Sequence, residues 1–144
     1  MTSADVDALV EQILRRYPVI TVVGASYHPA KAAHTVPAHM QRHGWRIVPV
    51  NPRGGTILGE PAYPALADVP ERVEFVDVFR PSAQAADIVR QAAAVGASAV
   101  WLQLGIVSAE ARRIAEDAGM HYVENRCLYI EQARLAIEAP TISR

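Results

Sequence analysis

The chain has 144 residues, of which 51 % are hydrophobic, a size and composition that suit one globular domain with a sizeable core. Its 14 basic and 15 acidic side chains leave a formal net charge of -1, which excludes a bulk electrostatic attraction to nucleic acid or to a membrane surface. The single cysteine excludes an internal disulfide and a zinc site of paired thiolates. With neither a secretory segment nor a bilayer-length apolar run, we expect one cytoplasmic domain over residues 1–144.

The N-terminal segment predicts a helix followed by a buried strand. Apolar residues recur at helical spacing over residues 3–17, with Ser3 or Asp5 as the candidate cap and Pro18 as the stop. The run Val19–Val23 is almost wholly aliphatic and mostly β-branched. Such a run is typical of a strand that is buried on both faces of a parallel sheet.

Strands and helices alternate through the rest of the chain. Apolar runs predict further strands at residues 45–50, 73–79, 99–102 and 120–123. Helical patterns predict helices at residues 36–43, 82–95, 108–118 and 130–137. Pro37 is tolerated in the first of these helices because it falls in the first turn. The alternation predicts a doubly wound, Rossmann-like α/β domain with a mostly parallel five-stranded sheet, a core over residues 19–137 and a short polar tail over residues 140–144.

One long connection, residues 51–70, departs from this alternation. It contains four prolines and three glycines and has little helical pattern. Connections of this length are usually functional or disordered. The interspersed Ile57, Leu58, Tyr63 and Leu66 predict that this one is ordered.

The carboxyl ends of the predicted strands form the candidate ligand site. In open parallel sheets, ligands bind at that edge, near the point where the strand order reverses. The segments there are rich in small, amide and basic residues, and they lack carboxylates. They are Gly24-Ala25-Ser26, Asn51-Pro52-Arg53-Gly54-Gly55, Phe79-Arg80-Pro81, Gln103-Leu104-Gly105 and Asn125-Arg126-Cys127. This composition favours an anionic ligand.

The first two segments suit phosphate groups. The backbone amides of Ala25 and Ser26 would lie beside a helix N-terminus, a position that favours anions. Arg53 precedes two glycines that permit close backbone approach. A simple turn at Gly24 and a solvated surface arginine are the alternative interpretations of the same residues.

The remaining basic residues and the cysteine also have two interpretations each. Arg80 and Arg126 suit an anion, but either is open to a structural ion pair with Asp77 or Glu124. Cys127 follows a basic residue at a predicted helix start, where a thiol pKa is often lowered. A small packed cysteine is the alternative for Cys127.

A dinucleotide site is the competing hypothesis for the first strand. The dinucleotide fingerprint requires three glycines in a tight turn and an acidic residue about 20 residues further on. Here Gly24 is followed by Tyr27-His28-Pro29, and the second strand ends in Val50-Asn51. An oxidoreductase in which Arg53 meets the 2′-phosphate of NADP is therefore kept only as the alternative.

Catalytic and metal-binding residues are not predicted. Four histidines, at positions 28, 34, 39 and 43, are scattered without an accompanying carboxylate motif. The pattern contains neither a nucleophile with a placed base nor a general acid pair. Binding rather than catalysis is therefore expected.

Six strings along the chain resemble those of the stand-alone CoA-binding protein family, over residues 19–135. They are VVGAS, VPVNP, ILGEPAYPAL, VDVFRP, VWLQLGIV and NRCLYIEQARL. The implied fold is similar to the CoA-binding domain of the succinyl-CoA synthetase α subunit, where a proline, a basic residue and a glycine pair also follow the second strand. The resemblance therefore implies coenzyme A or an acyl-CoA as the ligand.

The resemblance also implies which residues bind. Gly24, Ala25 and Ser26 would hold phosphate, as would Arg53. Residues flanking the nucleotide, lining its adenine or pantetheine side or closing the cleft complete the implied set. That set is Gly24, Ala25, Ser26, Lys31, Asn51, Pro52, Arg53, Phe79, Arg80, Pro81, Gln103, Gly105, Arg126 and Cys127.

The expected role differs from that of the synthetase. Succinyl-CoA synthetase passes phosphate through a histidine in a second domain, and this chain reaches Arg144 without one. This departure from the synthetase favours a non-catalytic carrier, sensor or regulatory module. A protein partner or a homodimer is compatible with that role.

Overall fold

The computed structural model describes residues 2–141, and its elements follow the predicted order. The helices are α1 Ser3–Arg16, α2 Ala32–Arg42, α3 Ser82–Ala94, α4 Ala109–Asp117 and α5 Leu128–Leu135. The strands are β1 Val19–Val23, β2 Arg46–Val50, β3 Thr56–Ile57, β4 Glu60–Pro61, β5 Phe75–Val78, β6 Ala99–Leu102 and β7 His121–Val123. Of the predicted polar tail, residues 142–144 lie outside the described residues.

The five longer strands form one sheet in the order β2-β1-β5-β6-β7, and every neighbouring pair is parallel. The chain moves outward from β1 to β2 and then crosses to β5 on the other side of β1. The strand order therefore reverses between β1 and β5, where an open sheet of this kind binds its ligands. The predicted doubly wound, five-stranded parallel sheet is confirmed.

Helices cover both faces of the sheet. On one face, α1, α2 and α5 pack against β-strand side chains through Leu14, Met40 and Leu128, which are fully buried. On the other face, α3 and α4 bury Val89 and Ala115 against the sheet. Burial of these apolar side chains on both faces is the main force that holds the five strands together.

The first crossover helix begins earlier than predicted. The sequence pattern placed its start at residue 36, whereas α2 begins at Ala32, so Pro37 lies inside the helix and not in its first turn. A proline there leaves the carbonyl four residues before it, that of Ala33, without its helical donor. The Ser26 N–H donates to this carbonyl at 3.2 Å, which replaces the missing bond.

Other helix ends also differ from the predicted ones. Thr2, and neither Ser3 nor Asp5, caps α1: the Asp5 N–H donates to the Thr2 hydroxyl at 3.1 Å, and the Thr2 N–H donates to the Asp5 carboxylate at 3.0 Å. Helix α5 begins two residues before the predicted start at residue 130.

The long connection after β2 is ordered, as predicted. It forms the short antiparallel hairpin β3–β4, returns past β2 at Tyr63, and makes one turn of 3-10 helix at Leu66–Asp68. Its Ile57 and Leu66 are buried. None of the helices within residues 2–141 is long and apolar enough to cross a membrane.

Candidate functional site

At Gly24, the backbone that follows β1 lies very close to the backbone that follows β5, at the point where the strand order reverses. Gly24 follows β1 with φ 89°, and Phe79 follows β5. A Cβ on Gly24 would lie 2.6 Å from the Phe79 carbonyl oxygen and 2.9 Å from Cδ of Arg80. Only glycine therefore fits this position, which combines a positive φ with a close backbone approach.

The loops after β1 and β2 are bound to each other. Asn51 donates through Nδ2 to the Ala25 carbonyl at 2.8 Å, and its Oδ1 accepts the Arg53 N–H at 2.9 Å. The Tyr27 hydroxyl donates to the Gly54 carbonyl. The two predicted phosphate segments therefore form one continuous rim at the carboxyl edge of the sheet.

A cavity of about 500 Å³ lies between these loops and α3. We call it the mixed cavity because its lining combines apolar residues with a row of polar side chains on α3. It is lined by Val23, Gly24, Val50, Asn51, Pro52, Pro64, Ala65, Leu66, Arg80, Ala83, Gln84, Asp87, Ile88 and Gln91. Within the row on α3, Gln91 donates to Asp87 at 2.9 Å.

A second cavity, of about 400 Å³, lies on the other side of Arg80. We call it the apolar cavity, since Arg80 and Gln103 are its only polar side chains. It is lined by Ala32, Val36, Phe79, Arg80, Pro81, Gln103, Leu104, Ile106 and Cys127. The two cavities share Arg80, so this arginine lies where they meet.

Gln103 is fixed by two hydrogen bonds behind the apolar cavity. Its Nε2 donates to Asp77 Oδ1 at 2.6 Å, and its Oε1 accepts the Leu128 N–H at 3.3 Å. Asp77 is fully buried, and its Oδ2 has no hydrogen-bond partner within residues 2–141. Burial raises the pKa of Asp77 to about 8, although the hydrogen bond from Gln103 opposes the rise.

The ion pairs that the sequence left open have different partners in the structure. Arg80 donates through Nε to Gln84 at 3.1 Å, while Asp77 bonds to Gln103. Arg126 does form a structural ion pair, but with Asp7 at 2.9 Å and Glu131 at 3.1 Å. Its guanidinium thereby connects α1 to α5, and the hydrogen bond that it donates lowers the pKa of Asp7.

Comparison with known proteins decides the family. Residues 18–133 match the profile of the CoA binding domain, which is most of the chain. The chain belongs to the CoA-binding domain family. The predicted resemblance is therefore confirmed, and the dinucleotide oxidoreductase alternative is not favoured.

Relatives of this CoA-binding domain include stand-alone and multidomain proteins. The uncharacterized protein YneT of Bacillus subtilis is 32 % identical over 88 % of this chain and 93 % of its own length. A hypothetical protein from Pyrococcus horikoshii is 37 % identical, with a TM-score of 0.86 over 91 % of this chain and 92 % of that one. The ADP-forming acetate–CoA ligase I of Archaeoglobus fulgidus is 30 % identical over 89 % of this chain, which spans 20 % of the ligase.

The CoA-binding domain brings most of the predicted site residues to one edge. Those that line a cavity are Gly24, Asn51, Pro52, Phe79, Arg80, Pro81, Gln103 and Cys127. Ala25, Ser26, Lys31 and Arg53 lie in the bound loops of the same edge, and the last two are exposed. The Ser26 N–H, which the sequence predicted as a phosphate ligand, donates to Ala33 instead.

Two further predicted residues of the CoA-binding domain, Gly105 and Arg126, also line neither cavity and lie outside the loops after β1 and β2. The Arg126 side chain is held by α1 and α5, as described above. The Gly105 N–H donates to Asn125 Oδ1 at 2.7 Å, a contact that stabilises the loop after β6. Ligand contacts by all of the predicted site residues stay predictions.

The sequence reasoning missed the parts of the site that helices supply. It selected residues in the segments that follow strands, whereas α2 contributes Ala32 and Val36 and α3 contributes a longer row. Gln84, Asp87 and Gln91 are spaced by three and four positions, so they lie on one face of α3. A row of polar residues at this spacing, on the helix that follows β5, is the sequence signal that could have identified them.

Proposed function

We propose that this CoA-binding domain binds coenzyme A or an acyl-CoA across both cavities, as a non-catalytic carrier, sensor or regulatory module. The family match supports the ligand class. The position of Arg80 between the mixed cavity and the apolar cavity is the observation that carries the proposal, because coenzyme A has the same order of parts. A polar nucleotide base, a charged phosphate segment and an uncharged pantetheine arm follow one another along the ligand.

Each part of the ligand has a matching set of residues. The adenine ring would contact Gln84, Asp87 and Gln91, whose amide and carboxylate groups suit its hydrogen-bonding edge. The phosphates would contact Arg80, between the two cavities, and Arg53, in the loop after β2. One guanidinium group can donate two parallel hydrogen bonds to a phosphate group. The pantetheine arm would enter the apolar cavity.

The side chains of the two linings support a binding role. The titratable members are Arg80, Asp87 and Cys127. Acyl transfer and hydrolysis need a nucleophile beside a base, or an acid and a base on either side of the reacting bond. Within the two linings, neither arrangement is present. This set of residues supports carriage or sensing of the coenzyme.

Isothermal titration calorimetry with coenzyme A tests the proposal. Arg80→Ala and Arg53→Ala should each lose a charge-assisted hydrogen bond of about 1.5–3 kcal/mol, and therefore about 10- to 100-fold in affinity. The exposed Arg113 on α4 offers a control, and Arg113→Ala should bind as the wild type does.

Two results would contradict the proposal. Wild-type affinity for coenzyme A in both variants would remove the arginines from the site. Tight binding of NADPH by a protein that does not bind coenzyme A would restore the dinucleotide alternative. A native mass spectrum of the freshly purified protein would show directly whether coenzyme A or an acyl-CoA is carried along.

A further inference from the structure

We infer that the apolar cavity receives the thioester end of the ligand and selects uncharged aliphatic acyl groups over both the free thiol and acyl groups that end in a carboxylate. This inference rests on the proposed function. It adds to that function a class of preferred ligands, the neutral acyl-CoAs.

The lining of the apolar cavity gives the first reason. Four separate segments supply it: the start of α2, the chain after β5, the loop after β6 and the residue before α5. Their apolar members are Ala32, Val36, Phe79, Pro81, Leu104, Ile106 and Cys127. An aliphatic chain in this cavity would exchange water for carbon and sulfur contacts on several sides.

The two polar groups of the cavity are already engaged. Gln103 uses its amide nitrogen for Asp77 and its amide oxygen for Leu128. Arg80 directs Nε to Gln84, on the α3 side that faces the mixed cavity. Arg80 is the one cation in the lining, and the proposed phosphates occupy it. A carboxylate at the far end of an acyl group would lie against an apolar lining that supplies no further cation, and it would lose part of its hydration, which is costly.

The mouth of the cavity gives a further reason. Leu104 belongs to the lining and is 63 % exposed, and the neighbouring Val107 is 46 % exposed. This apolar surface is open to water and would be covered as an acyl chain lengthens. Each methylene that is removed from water should raise the affinity about three- to fourfold.

A series of titrations on the 144-residue protein tests the inference. Coenzyme A, acetyl-CoA, butyryl-CoA and succinyl-CoA are compared by calorimetry, and the last two have acyl chains of equal carbon number. Affinity should rise from coenzyme A through acetyl-CoA to butyryl-CoA, and succinyl-CoA should bind about tenfold or more weakly than butyryl-CoA. Equal affinity across the series, or preference for succinyl-CoA, would overturn the inference while the proposed function stands. If none of the four compounds binds, the proposed function fails instead.

A substituted cavity mouth supplies a test in the opposite direction. Leu104→Arg places a cation at an exposed lining position, so folding should be retained and the ratio of succinyl-CoA to butyryl-CoA affinity should rise about tenfold. Val107→Arg adds the same charge at a neighbouring exposed residue outside the lining, and its ratio should match the wild type. An unchanged ratio in Leu104→Arg, or equal changes in both variants, would show that the acyl group does not enter this cavity.

Discussion

Gly24 has both a positive φ and a close contact with the backbone that follows β5, so a larger residue is unfavourable there for two reasons. In Gly24→Ala, the alanine would have to adopt a φ of 89°, and its Cβ would lie 2.6 Å from the Phe79 carbonyl oxygen. The left-handed backbone alone costs about 1–2 kcal/mol, and the steric overlap adds to it. We expect Gly24→Ala to lower the free energy of unfolding by about 2–4 kcal/mol in urea denaturation.

Gly96 supplies the matched control for that measurement. Its φ is 83°, yet a Cβ there would meet no atom within 4 Å. Gly96→Ala should therefore show only the backbone cost of about 1–2 kcal/mol. Equal losses of stability in the two variants would mean that the backbone around Phe79 moves away from the new Cβ, and that the close contact between Gly24 and Phe79 is not rigid.

At the scale of helices, Arg126 belongs to an ion-pair network that connects α1 to α5. Glu131 is 5 % exposed and accepts from Arg126 and from Arg134, whose Nη2 lies 2.6 Å from Oε2. Arg126→Met removes one of these partners and the contact to Asp7. We expect a loss of about 1–3 kcal/mol in stability, because a buried carboxylate loses part of its compensation, and an unchanged affinity for coenzyme A.

Denaturation and calorimetry on the same Arg126→Met preparation decide between structural and ligand-binding roles. Weaker coenzyme A binding without a loss of stability would return Arg126 to the ligand site. Arg15, which pairs with Glu11 at the exposed surface of α1, provides the control. Arg15→Met should change stability by less than about 1 kcal/mol, as is usual for exposed ion pairs.

The strands were predictable from sequence, whereas several helix starts and side-chain partners were not. Runs such as Val19–Val23 carry their own signal, since a strand that is buried on both faces needs apolar residues throughout. The start of α2 depends on a hydrogen bond from Ser26, and no local pattern reports it. The partner of Arg126 is Asp7, which is 119 positions away. Only the folded topology brings such residues together.

The candidate site divides in the same way. Residues that follow strands, such as Asn51 and Arg80, were found because parallel topology sends all strand ends to one edge. The split into a mixed and an apolar cavity depends on which residues of α2 and α3 face that edge. Helical spacing identifies a face, but it does not say which neighbour the face meets.

At the scale of the whole molecule, Asp77 makes stability depend on pH. Burial raises its pKa to about 8 in the folded protein, against about 3.9 for an unfolded aspartate. Between these values the folded state holds a proton that the unfolded state releases. The free energy of unfolding therefore falls as pH rises, by up to about 1.4 kcal/mol per pH unit from this group alone.

Asp77→Asn should remove that contribution, because an amide does not titrate. The stability of the variant relative to the wild type should rise steadily from about pH 4 to about pH 8 and stay level outside that range. Urea denaturation at several pH values measures the difference. A difference that is constant with pH would show that Asp77 is ionised in the folded protein, with solvent reaching its free oxygen.

The connection that returns past β2 also affects how molecules meet in concentrated solution. β2 is the outer strand beside β1, and the backbone of an outer strand is a ready template for a strand of another molecule. Here Tyr63 forms hydrogen bonds with part of that backbone. Its N–H donates to the Pro49 carbonyl at 3.0 Å, and its carbonyl accepts the Asn51 N–H at 2.9 Å. Pro49 itself has no N–H to offer a neighbour. The segment that lines the mixed cavity therefore also protects the β2 edge of the sheet against pairing with another molecule.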